Sequence, residues 1–262
     1  MSSSLCIWML LATRSLDQGC TALAEYRVEE AVALLQRARG EGPYEYPDHV
    51  RLYEQLGLAY AYLDRKEQAL QSFDMLLALD PGHAISYTLS PKVTFLFEQA
   101  RKASTRASPI TVDLGWPRDL KVSDRVPIDL EVVADPRGLM KRAVLFSRRK
   151  GSLEERQARI DLGVPGRYHR VELPAAAPAS EGPEVLEVYL KAFDEKGNEV
   201  YLLGSAAQPR EISLAYEPPE AWYSRWWVWA LVGGAVAAGT GTTVYFLLRE
   251  PPGRVGGSFQ VP

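Results

Sequence analysis

The stretch that decides the fold is RLYEQLGLAYAYLDRKEQALQSFDMLLALDP, residues 51–81. It matches TRSLDQGCTALAEYRVEEAVALLQRARGEGP, residues 13–43, at a constant offset of 38 positions. Self-similarity at a fixed offset is the signature of stacked repeats, so the first hundred residues are predicted to hold two copies of one unit. The aligned pairs are Gly19 with Gly57, Arg27 with Arg65, Glu29 with Glu67, Ala31 with Ala69, Leu35 with Phe73 and Pro43 with Pro81.

Each copy is predicted to be a pair of antiparallel helices, because its apolar residues recur at helical spacing. Small residues at Gly57 and Ala69 allow the two helices of a pair to approach closely, and Pro81 ends the second helix. A fifth helix is predicted to follow, with Ser90 as a polar N-cap, and to cover the end of the stack. The predicted helices are Ala12 to Glu25, Val28 to Arg39, Asp48 to Leu63, Lys66 to Leu79 and Pro91 to Lys102.

The second copy resembles a tetratricopeptide repeat, and the resemblance covers about residues 12–103. It is carried by Tyr53, Leu56, Gly57, Tyr60, Ala69, Phe73 and Pro81, which stand at the spacing of a unit of about 34 residues. The first copy is similar but has four extra residues in the loop 40–47.

This resemblance implies a groove that binds peptides or partner proteins and is lined by the first helix of each repeat. Family members that clamp a C-terminal carboxylate carry lysine and asparagine where this chain has Glu54 and Leu58, so that binding mode is not expected. The alternative is a docking spacer whose groove is filled by its own fifth helix or by another copy of the chain. The candidate groove residues are Arg51, Glu54, Leu58, Ala61 and Tyr62.

Residues 108–216 are predicted to form a β-sandwich of immunoglobulin or fibronectin type, because apolar residues alternate there and turn signals recur. The segment Asp194 to Asn198 is predicted to be a hairpin turn, in which Gly197 takes a positive φ. The charged run Arg148 to Arg156 fits either a solvated hairpin or a docking tip. The predicted strands are Ile110 to Leu114, Val126 to Ala134, Arg142 to Arg148, Arg156 to Leu162, Tyr168 to Leu173, Val185 to Phe193, Glu199 to Leu203 and Arg210 to Ala215.

A single transmembrane helix is predicted at residues 226–248, between a linker at 217–225 and a short tail at 249–262. Twenty-three uncharged residues separate Arg225 from Arg249, and as a helix they would reach about 35 Å, against a hydrocarbon thickness of about 30 Å. Small residues at a spacing of four indicate either self-association through the span or merely its composition. The predicted membrane-interface residues are Trp222, Trp226, Trp227, Trp229 and Tyr245.

Sidedness is less strongly marked than the span itself. Arginines on the two sides of the span balance, so positive charge does not orient it. Residues 1–11 are an apolar lead-in or the remnant of a signal peptide. The order of sandwich, linker and span resembles bacterial envelope proteins, which implies the inner membrane with periplasmic soluble domains. The alternative places both domains in the cytoplasm.

Composition narrows the class of function. Hydrophobic residues make up 47% of the chain and charged residues 24%, as in globular proteins. The net charge of −3 offers no cationic field for a nucleic-acid partner. No metal site, cofactor site or catalytic group is expected, because the two cysteines and three histidines are scattered and no nucleophile stands beside a base.

The sequence therefore predicts an α+β multidomain protein with helical repeats, a sandwich and one span. The expected function is a membrane-anchored, non-enzymatic scaffold or assembly factor that binds other proteins. The alternative is a single-span receptor or sensor whose sandwich binds a small ligand or a glycan.

Overall fold

A computed structural model describes residues 3–86, 88–105, 108–163, 168–174, 182–216 and 225–230, with side chains from Arg14 onward. The chain divides into two compact units, residues 1–216 and residues 217–262. In the first unit the helices precede the strands, so the predicted α+β class is confirmed. The helices are α1 (Ser3–Ala24), α2 (Val28–Glu41), α3 (Tyr46–Tyr62), α4 (Lys66–Leu79) and α5 (Pro91–Ser104).

The five helices lie close to their predicted positions, except at the start of the chain. Helix α1 begins at Ser3, nine residues before the predicted start, because the apolar run that precedes Ala12 continues the helical backbone. Helix α3 begins two residues early, and Pro47 lies in its first turn, where the missing N–H costs no hydrogen bond.

The two helical hairpins, α1 with α2 and α3 with α4, have the same turn. Tyr26 and Asp64 occupy equivalent positions, and each has a φ of 61°. The backbone N–H of Arg27 donates to the carbonyl of Ala22 at 2.8 Å, and that of Arg65 donates to Tyr60 at 2.9 Å. The offset of 38 residues found in the sequence is therefore also the offset between two equivalent hairpins.

Close packing within each hairpin depends on one glycine. A Cβ atom placed on Gly19 would lie 2.7 Å from Leu35 Cγ, and one on Gly57 would lie 2.4 Å from Phe73 Cε1. Both distances are shorter than carbon atoms can approach, so each glycine admits the large side chain that occupies the equivalent position of the second helix. Phe97 of α5 then meets the Phe73 ring edge to face, with centroids 5.4 Å apart.

The strands form two antiparallel sheets. One sheet has the order β1-β2-β5, and the other has the order β4-β3-β6-β7, with β8 paired to the first half of β6. Every strand lies within two residues of its predicted bounds. The strands are β1 (Thr111–Gly115), β2 (Val126–Ala134), β3 (Arg142–Arg149), β4 (Glu155–Asp161), β5 (Tyr168–Leu173), β6 (Glu184–Phe193), β7 (Glu199–Leu203) and β8 (Arg210–Leu214).

Alternate residues of the strands point into an apolar core that both sheets share. Ile128 and Leu130 of β2 are fully buried, as are Leu145 of β3 and Leu190 of β6 in the other sheet, and all four belong to the same apolar cluster. The intervening residues of β2 are partly buried or, for Val133, exposed, as expected for a strand with one face in the core. The predicted turn after β6 is confirmed, and Gly197 has a φ of +91°.

The helices and the sheets are joined at the connector between α2 and α3, residues 42–45. The N–H of Tyr44 donates to Asn198 Oδ1 at 2.9 Å, and the N–H of Glu199 donates to the carbonyl of Tyr44 at 2.9 Å. The Tyr44 hydroxyl donates back to the carbonyl of Ala38 at 2.7 Å. We call this arrangement the Tyr44 joint. Its groups are buried, so each hydrogen bond satisfies a backbone or amide group that water does not reach.

Helix α3 reinforces the joint from its first turns. The N–H of Tyr46 donates to Glu199 Oε2 at 3.0 Å, and Lys191 Nζ donates to Glu199 Oε1 at 2.7 Å. His49 Nδ1 lies 2.9 Å from the carbonyl oxygen of Glu199, which can only accept, so Nδ1 carries the proton. A second tie lies elsewhere, between Arg137 in the β2–β3 connection and Asp74 of α4, at 2.5 Å.

No helix among the described residues combines the length and the hydropathy that a membrane crossing requires. Of the predicted span, residues 226–230 are described and are helical. Residues 231–248, together with Trp222 and Tyr245, lie outside the described residues.

The packing role of Gly57 gives a direct test. Gly57→Ala is expected to lower the free energy of unfolding by about 1–3 kcal/mol, because the new methyl group overlaps the Phe73 ring. Gly40→Ala is the matched control, since a Cβ there has no neighbour within 4 Å. In α2 that change should stabilise by about 0.5–1 kcal/mol. Chemical unfolding of the full chain, followed by circular dichroism, measures both; equal effects of the two substitutions would contradict this account.

His49 gives a pH-dependent test of the joint. Burial lowers the pKa of His49 below its ordinary value of 6.5, and the hydrogen bond to Glu199 opposes that shift. Below about pH 6.5 the unfolded chain therefore binds a proton that the folded chain excludes. As the pH is lowered below this value, the free energy of unfolding decreases by up to about 1.4 kcal/mol per pH unit. Above this window the ring is neutral in both states and its contribution is fully present.

His49→Asn keeps a donor near the position of Nδ1 but does not titrate. We expect the wild type to lose stability relative to this variant as the pH falls from about 7 to about 5, in urea unfolding experiments at each pH. Parallel stability curves for the two proteins would show that His49 is not held neutral by the fold.

Candidate partner-binding surface

The candidate surface is built from the first helix of each hairpin. Helix α3 contacts α1 and α5 in addition to its chain neighbours α2 and α4. On α3, Arg51 and Glu54 lie one turn apart, so their side chains share one face of the helix. Arg51 Nη1 donates to Asp17 Oδ1 of α1 at 2.9 Å, which ties the two helices at the surface.

The five predicted groove residues do not all reach this surface. Arg51 is exposed, while Glu54 and Tyr62 are partly exposed. Leu58 is only 7% exposed and Ala61 has no exposed area. Leu58 and Ala61 belong to the helical core, so their prediction as groove residues is wrong. They are buried because α3 packs against several neighbouring helices.

Residues from three segments meet beside α3. His83, in the connector between α4 and α5, places Nε2 3.7 Å from Glu54 Oε2 and Nδ1 3.3 Å from Asp80 Oδ2. Together with Arg51 and Asp17, these side chains form what we call the α1–α3 surface. Carboxylates outnumber the permanent cation, Arg51, so this surface offers hydrogen-bond acceptors beside one guanidinium group.

The connector after α4 covers part of the face that a peptide would use. His83 is mostly buried there, and its Nε2 atom has no hydrogen-bond partner among the described residues. Ile85, two residues further on, is buried. Lys92 at the start of α5 pairs with Asp64 in the α3–α4 turn. The chain's own connector thus occupies space that the predicted groove would leave open.

The pKa of Cys20 in α1 depends on the charged residues of the α1–α3 surface. Burial raises the pKa of the Cys20 thiol, the charge of Arg51 opposes this, and the carboxylates of Asp17 and Glu54 add to the increase. The thiol is therefore held protonated, which does not suit a nucleophile. Among the described residues no three acidic, histidine or cysteine side chains could hold a metal ion together.

The three tryptophans at the start of the predicted span are the described members of the predicted interface set. Trp226, Trp227 and Trp229 are 81%, 45% and 63% exposed. They lie in the second compact unit, in the short helical segment 226–230. Large exposed indole rings of this kind are typical of a membrane–water interface or of a binding surface.

Sequence reasoning missed the Tyr44 joint. The four extra residues of the first repeat were expected only to form a loop, yet this connector holds the strands. The feature of the sequence that could have indicated this contact is a tyrosine, Tyr44, within an insertion between two regular helices. The charged run after Arg148 is also more ordered than a solvated hairpin, because Arg148 pairs with Glu187 at 2.6 Å and Lys150 pairs with Glu211 at 2.7 Å.

Comparison with known proteins assigns this chain to no family. No family model matches the chain, and no curated protein matches it. Among solved structures, the superoxide reductase (neelaredoxin) of Ignicoccus hospitalis is 14% identical, with a TM-score of 0.26, over 41% of this chain and 80% of that one. A lipoprotein of Bacteroides thetaiotaomicron is also 14% identical, with a TM-score of 0.22, over 46% of this chain and 88% of that one. Similarity at these scores carries no argument about this chain.

The environment of Cys20 can be tested by alkylation. In a Cys6→Ser background, iodoacetamide at about pH 8 should modify Cys20 more slowly in the folded chain than in urea, because the raised pKa leaves less thiolate. Arg51→Ala should slow the reaction further, since it removes the charge that favours the thiolate. Arg37→Ala, which breaks a different exposed ion pair, is the control and should change nothing. A faster reaction in Arg51→Ala would refute this assignment of charges.

Proposed function

We propose that the chain is a membrane-anchored, non-enzymatic scaffold or assembly factor of a bacterial cell envelope, which binds partner proteins through tetratricopeptide-type repeats. The observation that carries the proposal is the pair of equivalent helical hairpins, with packing glycines and turns at one offset of 38 residues. Hairpins of this kind stack side by side and present a continuous surface to other proteins.

The β region fits the same function, because it is attached rigidly to the helical repeats. We assign it to the immunoglobulin- or fibronectin-like sandwiches, on the basis of its two antiparallel sheets and their alternating burial. The Tyr44 joint and the Arg137–Asp74 pair connect it to the helices at two separate points. A partner bound to the helices would therefore be held in a fixed orientation to the sheets.

The anchor is assigned to residues 226–248 from their uncharged sequence, with Trp226, Trp227 and Trp229 at the membrane surface. We place the soluble domains in the periplasm, and a cytoplasmic orientation is the alternative. Anchoring confines encounters to a surface and raises the effective concentration of a partner in the same membrane. Modest contacts at Arg51, Glu54 and Tyr62 would then suffice for binding.

Membrane attachment is the first test. The full chain is expected in the membrane fraction after carbonate washing, whereas a chain that ends at Tyr216 is expected in the supernatant, because it lacks the proposed anchor. A reporter fused to either terminus then distinguishes the two orientations. Recovery of the full chain in the supernatant would overturn the anchored function.

Partner binding is the second test. Partners captured by crosslinking from solubilised membranes should be lost in the double variant Arg51→Glu with Glu54→Lys, which reverses two of the charges of the α1–α3 surface. The matched control is Lys66→Glu with Glu67→Lys, which makes the same reversal on exposed positions of α4. Both variants should fold, since exposed ion pairs contribute at most about 1 kcal/mol. Equal capture by the two variants would exclude binding through this surface.

The second candidate is a receptor or sensor whose β region binds a small ligand. It is favoured by a cavity of about 210 Å³ at one end of the β region, lined by residues of both sheets.

A further inference from the structure

The inner face of the five-stranded sheet changes character towards one end. Along β3 and β4 the core-facing residues are first Ala143 opposite Ile160, then Leu145 opposite Ala158, all apolar. The next pair in the same register is Ser147 opposite Arg156. Ser147 is buried, whereas Arg156 lies in the exposed first part of β4, so the inner face of the sheet opens to solvent at this pair.

These residues open onto the cavity of about 210 Å³ mentioned above. Ser147, Arg149 and Arg156 line it from one sheet, and Leu173 of β5 lines it from the other sheet. Leu186 of β6 adds a second aliphatic wall. At about 30 Å³ per water molecule, the volume holds about seven, which suits a small ligand.

The arginines around the cavity are not equally neutralised. Arg148 is occupied, since its guanidinium group donates to Glu187 at 2.6 Å and to the carbonyl of Ala206 at 2.7 Å. Arg149 Nε lies 3.6 Å from Glu184 Oε2, which is beyond hydrogen-bond distance. Arg156 has no carboxylate within 4 Å among the described residues.

The serine is the second feature that calls for a ligand. Ser147 is only 3% exposed, and its hydroxyl has no hydrogen bond to any residue that the structure describes. The hydroxyl oxygen itself is still reached by solvent, so it is free to donate to a ligand that enters the cavity. The acidic residue that lines the cavity, Glu154, is exposed, so it does not neutralise the interior.

We propose that this cavity binds a small monocarboxylate with a branched aliphatic group. The carboxylate would accept hydrogen bonds from the guanidinium groups of Arg149 and Arg156 and from the Ser147 hydroxyl. Arginine suits a planar carboxylate, because its fork of N–H groups can donate two parallel bonds. The aliphatic group would lie against Leu173 and Leu186.

The probe is 4-methylpentanoate, and 4-methylpentanamide is its uncharged match of the same shape. Titration of the full chain in detergent, followed by isothermal calorimetry, should show binding of the acid, with the amide at least about tenfold weaker. A tenfold change corresponds to about 1.4 kcal/mol, a reasonable value for a lost charged hydrogen bond.

Two variants locate the site. Arg156→Gln should weaken binding of the acid at least about tenfold, and Ser147→Ala should weaken it severalfold. Arg159→Gln is the matched control, because Arg159 lies three residues along the same strand and does not line this cavity. Circular dichroism verifies that all three variants are folded.

Two sources could supply such a carboxylate, a free acid or the C-terminus of a peptide. Acetyl-Ala-Leu with a free or an amidated C-terminus separates them. Binding of the free peptide alone, of 4-methylpentanoate alone, or of both would each support the site and identify its source. Equal binding of acid and amide, unchanged binding by Arg156→Gln, or no binding of any probe at millimolar concentration would overturn it.

Discussion

The Tyr44 joint is the constraint on which the arrangement of the first unit depends. Tyr44 of the four-residue connector donates its N–H to the Asn198 side chain and accepts the N–H of Glu199, and all three residues are buried. A third, partly buried bond joins the N–H of Tyr46 in α3 to the Glu199 carboxylate. Buried polar groups lose more when their partners move than exposed ones do, so small displacements at this place are costly. The helices and the sheets consequently form one compact unit rather than two domains on a linker.

The irregularity of the repeat and the joint are the same feature. A regular unit of about 34 residues would leave a short turn between the hairpins, whereas here the spacing is 38. The additional length allows Tyr44 to reach Asn198 while its hydroxyl remains bonded to Ala38 of α2. Asn198 is itself fixed by Asp194, which accepts its backbone N–H and its side-chain amide. The insertion in the first repeat thus fixes the sheets against the helical repeats.

Two kinds of surface follow from this arrangement. The α1–α3 surface carries mixed charges and is partly covered by the connector after α4, so a protein partner would need to fit around His83 or displace it. The cavity beside Ser147 and Arg156 has a volume of about 210 Å³ and is lined by Arg149, Arg156 and a serine whose hydroxyl bonds to none of the described residues. The first suits contacts with a protein segment, and the second suits a small ligand. Both surfaces lie on the same compact unit.

The sequence by itself determined the elements. Helices and strands were predictable because each follows from local periodicity, and the alignment of Gly19 with Gly57 and of Leu35 with Phe73 was visible as a repeat. The tertiary structure decided which residues are accessible. Leu58 and Ala61 could not be recognised as buried, since burial depends on neighbouring helices that are distant in the chain. The Tyr44 joint likewise depends on contacts across more than a hundred residues, and the surroundings of Arg156 depend on the pairing of β3 with β4. No local pattern encodes such contacts.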